Sequence, residues 1–325
     1  MSKLVTIYGG SGFVGRYIAR RMAKEGWRVR VAVRRPNEAI FVKPYGSVGQ
    51  VEPVLCNIRD DVSVAQAMAG ADAVVNCVGI LTQSGKNKFD AVQHEGAERI
   101  ARLAKNAGIG TMVHLSAIGA DAESPSAYAQ SKALGEEGVL AHMPNAMILR
   151  PSVIFGTEDE FFNRFASQAK FGPILPVAGA GTKFQPVYVD DVARAAVKGI
   201  LEGTSGTYEL GGPDVSSLRE LLDDMLAVIG RRRLVLNLPF FAANLVAFGL
   251  DMAQSITFGL FTNNVVTRDQ LKLLRSDNVV AEGAKTLADL GITATPTEGI
   301  LESYLWPFRP SGQYAAIKDS AKNLS

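Results

Sequence analysis

Apolar and polar positions along the first 150 residues alternate in two rhythms. Short apolar runs, KLVTIY (3–8), RVRVAV (28–33), VEPVLC (51–56), DAVVNCV (72–78), GTMVHLS (110–116) and AMILR (146–150), have the length and β-branched content of buried strands. Between them, stretches 13–25, 62–69, 89–107 and 126–142 carry helical patterns. Strands alternating with helices predict right-handed βαβ units and an α/β, doubly wound parallel sheet covered on both faces. After RPSVIFG (150–156) the rhythm becomes irregular, with Gly/Pro-rich turns at FGPILPVAGAG (171–181) and LGGPD (210–214). The expected organisation is a nucleotide-binding domain over 1–155 and a smaller, mostly helical C-terminal domain over 156–325, interleaved with the first.

One stretch breaks the pattern. LNLPFFAANLVAFGLDMAQSITFGLFTNNVV (236–266) carries a single charge, Asp251. A spanning helix needs about 20 mostly apolar residues, and this stretch is long enough. On a helix, however, Asn244, Asp251 and Ser255 would share one face opposite Phe241, Leu245, Phe248 and Met252, which suits lying on a surface better than crossing a bilayer. Arg231, Arg232 and Arg233 just before it could meet anionic head groups or a partner. A buried helix of the smaller domain is the other reading.

Composition narrows the classes. The chain has 325 residues, 47% hydrophobic and 20% charged, with net charge +2. That is an ordinary folded composition and gives no electrostatic footprint for nucleic acid. Cys56 and Cys77 lack metal or redox spacing and read as buried, reduced thiols; three scattered histidines predict no metal site. The first predicted strand begins within a few residues of Met1, so no signal or transit peptide is expected, in keeping with a bacterial cytoplasmic protein.

The first strand runs into four glycines. Gly10, Gly12 and Gly15 make G-x-G-x-x-G, while Gly9, Gly12 and Gly15 make G-x-x-G-x-x-G. Either spacing, between a strand and a helix opening at Phe13, brings backbone N–H groups of Ser11, Gly12, Phe13 and Val14 close to a pyrophosphate. An NAD site normally carries Asp or Glu about 20 residues on, to hold the ribose hydroxyls. Here the second strand runs into Arg34 and Arg35, whose guanidinium groups suit a 2′-phosphate, so NADP(H) is the expected cofactor. Asn57 and Ile58 at the end of the third strand are candidates to flank an adenine ring. Val78 and Gly79, after the fourth strand, are candidates to pass close to the adenosine ribose.

YAQSK puts Tyr128 and Lys132 on one face of a predicted helix. An ammonium near a phenol favours the phenolate, so the pair could exchange a proton with a substrate while hydride moves. The glycine spacing, NCVG, the Tyr128/Lys132 pair and RPSVIFG occur in the order of the short-chain dehydrogenases, and the chain resembles that superfamily in its extended or atypical branches. The resemblance favours the Gly9/Gly12/Gly15 spacing, adds Pro151 to the cofactor contacts, and implies a serine just after the fifth strand. HLSAIGAD (114–121) departs from it: Ser116 comes slightly early, and Ala117 and Ile118 follow. Tyr128 and Lys132 then serve equally well as fixed contacts to a cofactor ribose.

Three further segments narrow the likeness: 115–139 around the Tyr–Lys pair, TRDQLKLLRSDNVV (267–280) and TLADLGITATPTEGILESYL (286–305). With them the whole chain is similar to the nucleotide-binding accessory subunit of respiratory complex I (NADH:ubiquinone oxidoreductase), and DQLKLLRSDNVV discriminates, since generic epimerases lack it. The resemblance implies NADPH held for structure rather than turnover. It also implies complex I subunits around the quinone site as partners, and a peripheral place on the cytoplasmic face of a bacterial inner membrane. The alternative is a free-standing NADP-dependent reductase or epimerase-like enzyme using Tyr128 and Lys132.

Overall fold

A computed structural model describes residues 2–256, 267–310 and 312–314, excluding the side chains of 250–256 and 313. The six apolar runs form β1 (Leu4–Tyr8), β2 (Arg28–Val33), β3 (Val51–Leu55), β4 (Ala73–Asn76), β5 (Thr111–Leu115) and β6 (Met147–Pro151). The helical stretches form α1 (Phe13–Lys24), α2 (Asp61–Met68), α3 (Glu95–Asn106) and α4 (Ala127–His142). Every residue of β1 and of β4 is buried, as expected of central strands covered on both faces. In α1 the buried positions Val14, Ile18, Ala19, Met22 and Ala23 make the stripe that seats the helix on the sheet.

The rest of the chain supplies β7 (Ile154–Phe155), α5 (Phe162–Gln168), β8 (Ile174–Ala178), β9 (Lys183–Phe184), β10 (Val187–Tyr188) and α6 (Val189–Glu202). Then come β11 (Gly206–Leu210), β12 (Ser216–Ser217), α7 (Leu218–Val228), β13 (Leu234–Leu238), α8 (Phe240–Ile256), α9 (Arg268–Leu273) and α10 (Ile300–Leu305). The central sheet runs β11-β6-β5-β4-β1-β2-β3, all parallel. Its strand order reverses between β1 and β4, which opens a crevice at the carboxyl ends of the strands. The seventh strand, β11, and α6 come from the second half of the chain, and α6 packs beside α1 on one face of the sheet. The α2, α3 and α4 helices cover the other face.

A second core gathers Phe155, Phe162, Leu175, Phe184, Leu222, Met225 and Tyr304 from the C-terminal elements. The 236–266 stretch does not begin as a helix. Leu234–Leu238 is a strand paired in parallel with β8, and Pro239 separates it from α8. Among the described side chains of α8 only the small residues Ala243 and Ala247 are buried, while Phe241 is 80% and Leu245 73% exposed, so this part is not a core helix. Phe248 and Asn244 are exposed too; the side chains of Asp251, Met252 and Ser255 lie outside the described residues. No helix among the described residues is long and apolar enough to cross a membrane.

Candidate nucleotide-binding site

The glycine loop is built by backbone constraints. Gly9 adopts φ +74°, a left-handed conformation that glycine alone takes without penalty, and its N–H donates to Ala32 O at 3.0 Å. Gly12 N donates to Gly9 O at 2.9 Å, and α1 opens at Phe13 with Gly12 as its N-cap. A Cβ on Gly15 would lie 2.4 Å from Gly9 O and 2.7 Å from Gly10 Cα, so α1 approaches the loop this closely only with glycine there. The first-turn N–H groups of α1 have no intrahelical partner and stand at the loop, an arrangement suited to receiving a pyrophosphate. This cradle fits a dinucleotide.

The flanking candidates converge on it. A Cβ on Gly9 would stand 3.2 Å from Cys77 O and from Val78 N, so NCVG adjoins the glycine loop. Beside Gly79, Lys132 Nζ and Gln93 Oε1 each lie 3.5 Å from where a Cβ would be. Arg34, past the end of β2, is exposed and makes no hydrogen bond or ion pair among the described residues. Arg35 is 76% exposed and paired with Glu38 at 3.0 Å. Asn57 accepts Arg59 N through its Oδ1 at 3.2 Å. Ile58 is buried with its side chain turned inward against Gly96, and its carbonyl accepts Arg99 Nη1 at 3.2 Å. Pro151 is buried, and its carbonyl accepts Ile118 N at 3.0 Å.

Tyr128 and Lys132 lie on α4 beneath this crevice. Lys132 is 5% exposed; its ammonium donates to Leu115 O at 3.1 Å and sits 5.9 Å from the centroid of the Tyr128 ring. Burial draws Lys132 down to about 8, against the opposing pull of Glu136, and pushes the Tyr128 phenol up to about 12. Phe89 packs edge-on to Tyr128 at 5.8 Å.

Ser116 faces elsewhere. It lies two residues after His114, so its side chain points into the layer of α4 rather than out of the strand end. There its hydroxyl donates to Glu136, whose carboxylate also receives Arg150 Nε at 2.9 Å and Arg150 Nη2 at 2.7 Å. Ala117 and Ile118 occupy the following positions.

Several residues were not foreseen. Gln93 sits in a π-helical turn over Asp90–His94, which sets Phe89 against Tyr128 and Gln93 against Ser131 at 2.9 Å. Arg16, next to Gly15, folds back to donate to Ser11 O at 3.0 Å and Gly12 O at 3.3 Å. Its place beside the motif could have singled it out, whereas nothing in the sequence marks the π turn. Asp269 of α9 reaches the first turn of α4. Of the arginine triplet, Arg231 and Arg233 are spent on the carbonyls of Phe308 and Ala169, at 2.9 Å and 2.8 Å; Arg232 is exposed.

A parallel sheet with this strand order, a glycine cradle at its switch point and a Tyr-x-x-x-Lys helix beside it define a Rossmann-type nucleotide-binding protein. Residues 5–211 match the model of the NAD dependent epimerase/dehydratase family, and the chain belongs to that family. It is similar to "NADH dehydrogenase [ubiquinone] 1 alpha subcomplex subunit 9, mitochondrial" of Arabidopsis thaliana, at 35% identity over 95% of this chain and 79% of that protein. It is also similar to "Ceramide reductase" of Caulobacter vibrioides, at 30% identity over 73% of this chain and 74% of that one. Among solved structures, that of gox2253 superposes with TM-score 0.69 at 21% identity, covering 96% of this chain and 99% of that one.

Proposed function

We propose that this protein is an accessory subunit of a respiratory NADH:ubiquinone oxidoreductase that holds NADP(H) for structure rather than turnover. In this reading the pyrophosphate lies on Gly9–Gly15 and the 2′-phosphate meets Arg34. Asn57 and the Ile58 backbone flank the adenine. Val78, Gly79 and Pro151 border the remaining ribose and nicotinamide, and Tyr128 and Lys132 hold the nicotinamide ribose. The observation that carries the non-catalytic role is Ser116, the serine after β5: its hydroxyl is committed to Glu136 and so is not offered to a carbonyl beside Tyr128. Likeness to the Arabidopsis subunit along 95% of the chain supports the assembly.

The same reading places the protein beside the quinone-binding region, peripheral on the cytoplasmic face of a bacterial inner membrane. Phe241, Leu245 and Phe248 of α8 are the contact to partner or lipid. Gentle solubilisation of membranes carrying the tagged protein, followed by native electrophoresis and mass spectrometry, tests it. Stoichiometric migration with the oxidoreductase subunits is expected; a protein found only free would overturn the reading.

A second reading, a free-standing NADP-dependent reductase, is favoured by the likeness to the Caulobacter enzyme and by the Tyr128/Lys132 geometry. Steady NADPH oxidation with an added carbonyl substrate, lost in Tyr128→Phe, would establish it.

A further inference from the structure

The segment that sets this chain apart in sequence, 267–280, is a strap across the carboxyl-terminal side of the sheet. Asp269 accepts Ser126 Oγ at 2.8 Å, Ala127 N at 2.9 Å and Tyr128 N at 3.1 Å. Ala127 N and Tyr128 N are first-turn donors of α4, which have no intrahelical acceptor. A carboxylate there satisfies them and complements the helix dipole. Lys272 adds a second tie, donating to Pro125 O at 2.7 Å. Farther along, Asp277 accepts Lys183 N at 2.8 Å, and Asn278 Oδ1 accepts Ser152 Oγ at 2.7 Å and Val153 N at 3.1 Å. The other side of α9 belongs to α8: Leu271 is 3% exposed and packs with Ala243 and Ala247 in a cluster separate from the main cores.

The helix that carries Tyr128 is thus fastened at its first turn to the short helix on which the exposed apolar helix rests. We propose that Asp269 is a positioning residue linking the nucleotide site to the apolar face of α8, so that occupancy of one is coupled to order in the other. The inference rests on the reading that the chain binds NADP(H). A ligand that fixes Tyr128 and Lys132 favours the conformation of α4 that Asp269 clamps. By linkage, whatever docks on α8 and holds α9 in place tightens the nucleotide. Asn at 269 keeps the size of the side chain but replaces a two-oxygen acceptor with one oxygen and a donor, which cannot receive three N–H and O–H groups.

The test is hydrogen exchange on the full-length protein with and without NADPH, alongside calorimetric titration of NADPH. In the parent protein, NADPH should slow exchange in 127–132, in 268–273 and in 240–249 together. Asp269→Asn should bind NADPH about tenfold more weakly, within the 5–150-fold range of such couplings. It should still protect 127–132 at saturation, while 240–249 no longer responds. Lys272→Met cuts the second tie without touching the carboxylate and should show the same uncoupling in weaker form; it stands in for Asp269→Asn if that variant does not fold. A merely structural Asp269 would lower the melting temperature and leave the response of 240–249 intact, which would overturn the proposal. NADPH binding that protects 127–132 but not 240–249 in the parent protein would overturn the linkage alone. Absence of any NADPH binding would overturn the cofactor reading with it.

Discussion

Replacing Ser116 with Ala separates the two readings of the site. Ser116 is 4% exposed, and its hydroxyl donates to the Glu136 carboxylate. A hydrogen bond to a charged group contributes about 1.5–3 kcal/mol. Here the carboxylate is not orphaned by the change, because Arg150 still holds it at 2.9 Å and 2.7 Å. The net cost is therefore at the low end, about 1–2 kcal/mol. With an unfolding entropy of about 2 cal/mol/K per residue, that lowers the melting temperature of a chain this long by about 2 °C. NADPH affinity should stay within about twofold, since the hydroxyl faces α4 and not the crevice.

Scanning calorimetry and NADPH titration on Ser116→Ala read both quantities. A double-mutant cycle with Glu136→Gln should return a coupling of about 1 kcal/mol between the two positions, because they touch. The reasoning fails if Ser116→Ala leaves the melting temperature unchanged but abolishes NADPH-dependent reduction of a carbonyl. That outcome would mean the serine turns toward a substrate in the working protein.

Gly15→Ala should reduce NADPH affinity at least tenfold by titration and destabilise by about 1–3 kcal/mol, because its methyl would lie 2.4 Å from Gly9 O and force α1 off the loop. Arg34→Glu should weaken NADPH by about tenfold or more while changing NADH little, read as the ratio of the two dissociation constants. Burial lowers Lys132 to about 8 from 10.5, so the unfolded chain binds the extra proton and stability rises with pH between about 8 and 10. In denaturant titrations the parent should gain about 3 kcal/mol relative to Lys132→Met from the bottom to the top of that window, with the gap between the two constant below pH 7. Raised Tyr128, Cys77 and Cys56 act in the opposite sense at alkaline pH, and the comparison with Lys132→Met cancels most of that.

The layered fold was legible because its signals are local. A run such as VTIY is buried on both faces in a central strand and needs no knowledge of its neighbours; the stripe of α1 and the glycine turn are likewise written within a few residues. The orientation of Ser116 was not legible, since it depends on which side of α4 meets β5 and on Glu136 lying there twenty residues away. The arginine triplet read as a contact for anionic head groups or a partner, yet two of its members bind the carbonyls of Ala169, just past α5, and of Phe308, contacts spanning 64 and 77 residues. Segment 236–266 read as one amphipathic stretch because periodicity does not reveal a parallel partner. Leu234–Leu238 is a strand only because β8 lies beside it. The strap was conspicuous in sequence, but its purpose was hidden: Asp269 acts on residues 141–143 positions earlier.

In the proposed reading the site retains its ligand rather than turning it over. Lys132 is buried, its ammonium donates to the Leu115 carbonyl, and burial drags its proton affinity down against the pull of Glu136. The first-turn N–H groups of α1 stand at the loop without intrahelical acceptors. A dinucleotide supplies what both lack, ribose hydroxyls to the lysine and phosphate oxygens to the helix. At a thousand times its dissociation constant it adds about 4 kcal/mol to the folded state. That is a sizeable part of the 5–15 kcal/mol by which domains are typically stable. In that reading a chain that keeps its cradle, its lysine and its tyrosine while committing Ser116 to Glu136 retains the contacts that hold the ligand. In the proposed coupling the strap extends that stability to α8, where Ala243 and Ala247 anchor a helix whose Phe241, Leu245 and Phe248 face outward.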